Sequence, residues 1–350
     1  MVYGALHAPA RTTDGPMERL ASRAVTVIGA AITGLHLLAL PAAAFAYPGA
    51  VASWYMDSVS SNVLFDMGCD LGTARKAGSA PQDALVILDY GQPQLRGGVY
   101  GSFDFSSTYR TVGQIRTAAL EYAHGFWLCT GANTRAHVRL AIGTSNFANF
   151  SVAAGLSEAG VTGHAKAWAD MVDALNADMS QRGYAGQVDA VGAADIEVSW
   201  GTSAIGRRWV DGYDTVNSWP MYDYGDAAGC PTSGPGKAVR RCGTSSWEQD
   251  DLYYVAWGAP AAWGVPEIYL ENAAQAKQWQ QISKWGTANG KSRITFAGTL
   301  TQHAACDGAC AAAGEDNAAD VGWSQLVAMC AQDAATSLGG LRFAADIRWH

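Results

Sequence analysis

Past residue 47 the apolar positions fall into short unbroken runs that alternate with longer stretches spaced by three and four. The run 84–89 (ALVILD) predicts a buried strand ending in a carboxylate, and 136–143 predicts a second strand leading to Ser145 and Asn146. Between them Val112, Ile115, Ala119 and Tyr122 predict a helix over 108–123. Trp168, Met171, Val172, Leu175 and Met179 share one side of a helix predicted over 163–182, which Gly183 closes. Strands are then expected at 195–200, 219–224, 266–270, 293–300 and 341–349. Helices are expected between them at 203–214, 246–257, 272–287 and 321–335.

Seven clear βα units in one run imply a parallel sheet covered by helices. Strands ending in charged or amide residues fit a (β/α)8-type, TIM-like barrel, irregular in that its eighth strand comes from 62–65 or is missing. The alternative is an open doubly wound sheet. It lacks support because Asp89-Tyr-Gly-Gln-Pro-Gln, not a glycine-rich turn, follows the first predicted strand. No repeat or low-complexity linker divides residues 47–350, so they are read as a single domain.

The first 46 residues are read apart from it. Met17 to Arg23 is a short basic leader, 24–40 is apolar, and Pro41-Ala-Ala-Ala-Phe-Ala46 ends in small residues. That order predicts a secretory signal cleaved after Ala46, with translation starting at Met1 or Met17 and the protein secreted. Without Arg11, Arg19, Arg23, Asp14 and Glu18, 20 basic residues face 29 acidic ones. So acidic a chain, with no basic run, is a poor partner for nucleic acid or an anionic membrane. All seven cysteines lie in the exported part, where disulfides are the first expectation. Proximity in sequence pairs Cys306 with Cys310 and Cys230 with Cys242 and leaves Cys69 with Cys129, while Cys330, in an apolar helical pattern, is expected as a buried free thiol.

Several chemistries are absent. The chain has no Gly-x-Ser-x-Gly and no His-Glu-x-x-His, and Gly286 to Ser292 follows a helix, the reverse of a phosphate loop. His303 with Cys306 and Cys310 lacks a fourth metal ligand, and 315–320 reads as a solvated loop, so neither metal nor cofactor is expected. What remains is an acidic and aromatic rim at the predicted strand ends. Its candidate catalytic carboxylates are Glu197, Asp195, Asp89, Asp223 and Glu267, the last early on its strand, where a salt bridge competes as its role. Tyr90, Asn146, Trp200, Tyr224, Asp226, Tyr269 and Gln302 are the candidate substrate-binding residues. Paired carboxyls with aromatic faces and amides are what glycoside hydrolysis needs.

On Asp195-Ile-Glu197 with Trp200, and on the architecture over about 80–350, the chain resembles glycosidase-type TIM barrels of exported bacterial proteins. The Asp-x-Glu element is similar to the end of the chitinase-type strand signature, although Ala190 and Ala193 replace further acids of that signature. The resemblance implies a monomeric glycosidase acting on a polysaccharide or cell-wall glycan, with Glu197 as general acid. The alternative is a non-catalytic barrel that binds glycan or cell surface.

Overall fold

The computed structural model describes residues 46–80, 82–131, 133–145, 156–198, 201–306 and 308–350. The leader before residue 46, Asn146 and Trp200 lie outside the described residues. In chain order the strands are β1 (Val51–Tyr55), β2 (Gln82–Asp89), β3 (Gln92–Arg96), β4 (Val99–Phe103), β5 (Tyr109–Thr111) and β6 (Ala136–Thr144). They continue with β7 (Val188–Ala194), β8 (Met221–Asp223), β9 (Ala262–Gly264), β10 (Gly298–Thr301) and β11 (Phe343–Trp349). The helices are α1 (Ser61–Arg75), α2 (Val112–Cys129), α3 (Glu158–Gln181), α4 (Ser203–Asp214), α5 (Gln249–Tyr253), α6 (Ala274–Ala288), α7 (Gly308–Ala313) and α8 (Ala319–Ala331).

All strands but β3–β5 form one parallel eight-stranded sheet whose members follow one another in chain order, and β11 returns to pair with β1. The ring closes between β9 and β10. Ala297 N–H donates to Gly264 O at 2.9 Å, Leu300 N–H to Pro266 O at 3.0 Å and Ile268 N–H to Leu300 O at 2.9 Å. This is an irregular (β/α)8-type barrel, and the open doubly wound sheet is excluded by that closure.

β2 shows why its sequence is apolar throughout. Leu85 and Ile87 join Ala141, Val191, Phe343, Ala345 and Ile347 inside the barrel. Ala84, Val86 and Leu88, on the other face, pack in the layer under the helices. A parallel strand covered on both sides needs such a run.

Three expectations require correction. Residues 62–65 lie in α1, and the missing strand is β1, eleven residues earlier in register with β2 and β11. The strand expected at 195–200 is β7, Val188–Ala194, so Asp195 and Glu197 follow a strand instead of lying on one. Alanine and glycine hide β7 because large neighbours press on it: a Cβ on Gly192 would lie 2.5 Å from the Tyr213 ring. Finally, 266–270 is an extended segment beyond β9, tied to β10 through a single bridge at Glu267↔Leu300.

The three expected disulfides form, and Cys330 is a buried free thiol. Cys69–Cys129 locks α1 to α2, which approach closely because Gly68 and Gly125 face the opposing backbone. No described helix is long and apolar enough to cross a membrane.

Candidate active site

The carboxylates gather where the strands end. β2 closes on Asp89, whose Oδ1 accepts Gly91 N–H at 2.8 Å. Asp195 comes immediately after β7, and Asp195 N–H is fixed by Thr144 O of β6 at 3.0 Å. β8 closes on Asp223, whose Oδ1 accepts Ile196 N–H at 3.2 Å and so holds the loop that carries Asp195 and Glu197. Gly225 makes room for that loop, since a Cβ there would stand 2.4 Å from Ile196 O.

Carboxylate oxygens of Asp195, Glu197 and Glu267 all lie within 4.8 Å of one another. Glu267 Oε1 accepts the Tyr269 hydroxyl at 2.7 Å, and Glu267 also hydrogen-bonds Glu197. Two carboxyl groups in contact require a proton between them. Tyr269 also hydrogen-bonds Tyr55, the residue that ends β1. Glu267 was expected early on a strand, in a salt bridge. It instead sits past β9, buried at the barrel mouth, among acids and tyrosines.

Burial sets the charge state. It pushes Asp195 well above the ordinary carboxylate range, and the charges of Glu197, Glu267, Asp89 and Asp223 push it further. Glu267 is likewise raised well above its ordinary value, by burial and then by Glu197 and Asp226. Asp89 is raised to about 7 by burial, against the opposing pull of Gly91 N–H, Tyr224 and Ser145. Asp223 is also raised to about 7 by burial, against the Ile196 and Gly225 N–H groups.

A cavity of about 630 Å³ opens over this cluster, with Asp195, Ser145 and Gln302 in its wall. Three aromatic rings stand on one side: Tyr55 lies 4.6 Å from Trp349 and 4.9 Å from Phe105, centroid to centroid. Trp349 is 58% exposed and Phe105 37%. That size and mixed lining suit a small ligand or one or two units of a polymer.

The structure brings Asp195, Glu197 and Gln302, all expected on the rim, together at the mouth, and adds Glu267. Asp226 is there too, its Oδ1 accepting Ala228 N–H at 2.9 Å. Tyr224 and Tyr269 are interior props of the acids, not cavity walls. Tyr90 is a correction: it is fully buried on the helix side of β2 and does not reach the cavity. Tyr55, Phe105 and Trp349 were missed. The signal for Phe105 was Gly97-Gly98, both at positive φ, which turns β3 into β4 in an antiparallel hairpin and brings 103–107 over the mouth. Trp349 ends a strand that was expected, and its outward reach was the overlooked part.

Asp195, Glu197 and Glu267 are also the described residues able to hold a hard divalent cation. The earlier alternative at His303 resolves as a pair with Asp316, Nδ1 to Oδ1 2.6 Å. No family model, no curated protein and no solved structure matches the chain.

Proposed function

We propose that this chain is a secreted glycoside-hydrolase-like protein that cleaves glycosidic bonds in a polysaccharide or cell-wall glycan. The observation that carries the reading is the trio Asp195, Glu197 and Glu267, supplied by two separate strand ends and held within 4.8 Å beside an aromatic-walled cavity. Retaining hydrolysis uses two carboxyls about 5 Å apart, one protonated and one charged. Asp195 faces the cavity and is held protonated, so it serves as proton donor to the leaving oxygen. Glu197 is the least buried of the three and serves as the charged partner, a reversal of the role its Asp-x-Glu context implies. Glu267, tied to Tyr269 and Glu197, is a positioning residue that sets their protonation. The three disulfides suit an oxidising compartment and agree with export.

A reducing-sugar screen of residues 47–350 on a glycan panel tests this. Turnover should fall by about 10³-fold or more in Asp195→Asn and in Glu197→Gln, as loss of an essential acid or nucleophile requires. Turnover equal to the parent in both variants would remove the trio from the chemistry. A second reading, glycan binding without turnover, is favoured by the fact that Glu267 does not line the cavity. It is distinguished by glycan binding that survives in both variants while the parent hydrolyses nothing.

A further inference from the structure

The opposite end of the barrel carries a second cavity of about 600 Å³, unrelated to the acid cluster. It lies among the N-terminal ends of β8, β10 and β11 and is lined by Trp263, Phe296, Leu341 and Phe343 together with Arg139, Arg293 and Arg342. Three arginines around one hollow are notable in a chain whose formal net charge is −8.

Their partners separate them. Arg139 is bidentate to Asp189, at 2.8 and 2.7 Å, and donates to the Tyr222 hydroxyl at 2.8 Å. Arg342 donates to Asp83 at 2.9 and 2.6 Å. Neither acid is in the cavity wall. Arg293 is exposed and forms no ion pair or hydrogen bond among the described residues, so its charge is uncompensated. Trp263 is 38% exposed, lines the same space and makes a T-shaped contact with Trp257, centroids 5.3 Å apart.

An apolar chamber with a few fixed polar groups is the usual form of a small-molecule site. Here the polar groups are guanidinium, which is planar and donates in parallel to a carboxylate or sulfonate. We propose that this cavity binds a small organic anion: an acidic headgroup on Arg293 and an apolar or aromatic body against Trp263, Phe296 and Phe343.

The test uses anilinonaphthalene sulfonate as a fluorescent probe on the folded chain 47–350, displaced in turn by phenylbutyrate and by its neutral analogue phenylbutanol. One probe per chain should bind, and phenylbutyrate should compete about tenfold or more better than the alcohol, as a charge-assisted contact predicts. Arg293→Ala should weaken both anions by about tenfold, and Arg293→Lys should restore only part of that loss, since an ammonium keeps the charge without the paired donors. Trp263→Ala should weaken acid and alcohol alike. Both side chains are exposed, so unchanged thermal melting is expected to accompany these losses. Equal displacement by acid and alcohol, or parental affinity in Arg293→Ala, would overturn the proposal.

Discussion

At the scale of the residue, the consequence of the acid cluster is a reversed pH dependence of stability. Asp89 and Asp223 are raised from 3.8 to about 7 in the folded chain, chiefly by burial. Between those values the native state binds more protons than the unfolded state. Their contribution to stability is therefore fullest below about pH 4 and is lost as pH rises through 7. Each group contributes up to about 4 kcal/mol across that window. Melting temperature should drop between pH 4.5 and 8, from about the unfolded carboxylate range upward. Asp89→Asn keeps an oxygen for Gly91 N–H and never ionises, so it should flatten the decline. A decline of equal slope in Asp89→Asn and Asp223→Asn would mean that neither acid is held protonated.

At the scale of the element, legibility followed side-chain size. β2 was readable because both its faces carry aliphatic side chains, β6 because Val138, Leu140 and Ile142 alternate along it, and α2 and α3 because their apolar spacing is unbroken. β7 was not, since Gly192 leaves room for the Tyr213 ring and the alanines add little apolar bulk, so the segment mimics a loop. The apolar Ile196 and Val198 beyond it drew the strand assignment downstream. Asp195 and Glu197 were thus found for a partly wrong reason: they neighbour one another in a loop, not on a strand face. The helices α1 and α2 show the same economy of size. Their glycines let the backbones approach, and Cys69–Cys129 closes a loop with a sequence separation of 60. The double variant Cys69→Ser, Cys129→Ser should lose about 2–4 kcal/mol of unfolding free energy, read as a lower denaturant midpoint with unchanged slope. A midpoint shift under about 0.5 kcal/mol would show that helix packing alone fixes the pair.

At the scale of the whole molecule, the two mouths of the barrel have opposite chemistry. Acids and tyrosines crown the C-terminal end of the strands, arginines ring the N-terminal end, and the aliphatic layer of Leu85, Ile87, Val191 and Ile347 separates them. The acidic mouth is completed by segments far apart in sequence. Tyr55 ends the first strand, Phe105 hangs from the β3–β5 insertion and Trp349 ends the last strand, and the three rings touch. No local pattern announces such a wall, because it exists only once β11 has returned to β1. Their exposure makes the outer two rings poor contributors to the core and good platforms for a ring-shaped ligand. Phe105→Ala with Trp349→Ala should therefore shift the melting temperature by no more than a few degrees and, on the glycosidase proposal, weaken glycan binding about tenfold or more. Calorimetric titration on the best glycan of the panel reads that loss. If binding is retained in the double variant, the ligand enters by another face of the mouth, and Gln302 and Ser145 become the contacts to remove next.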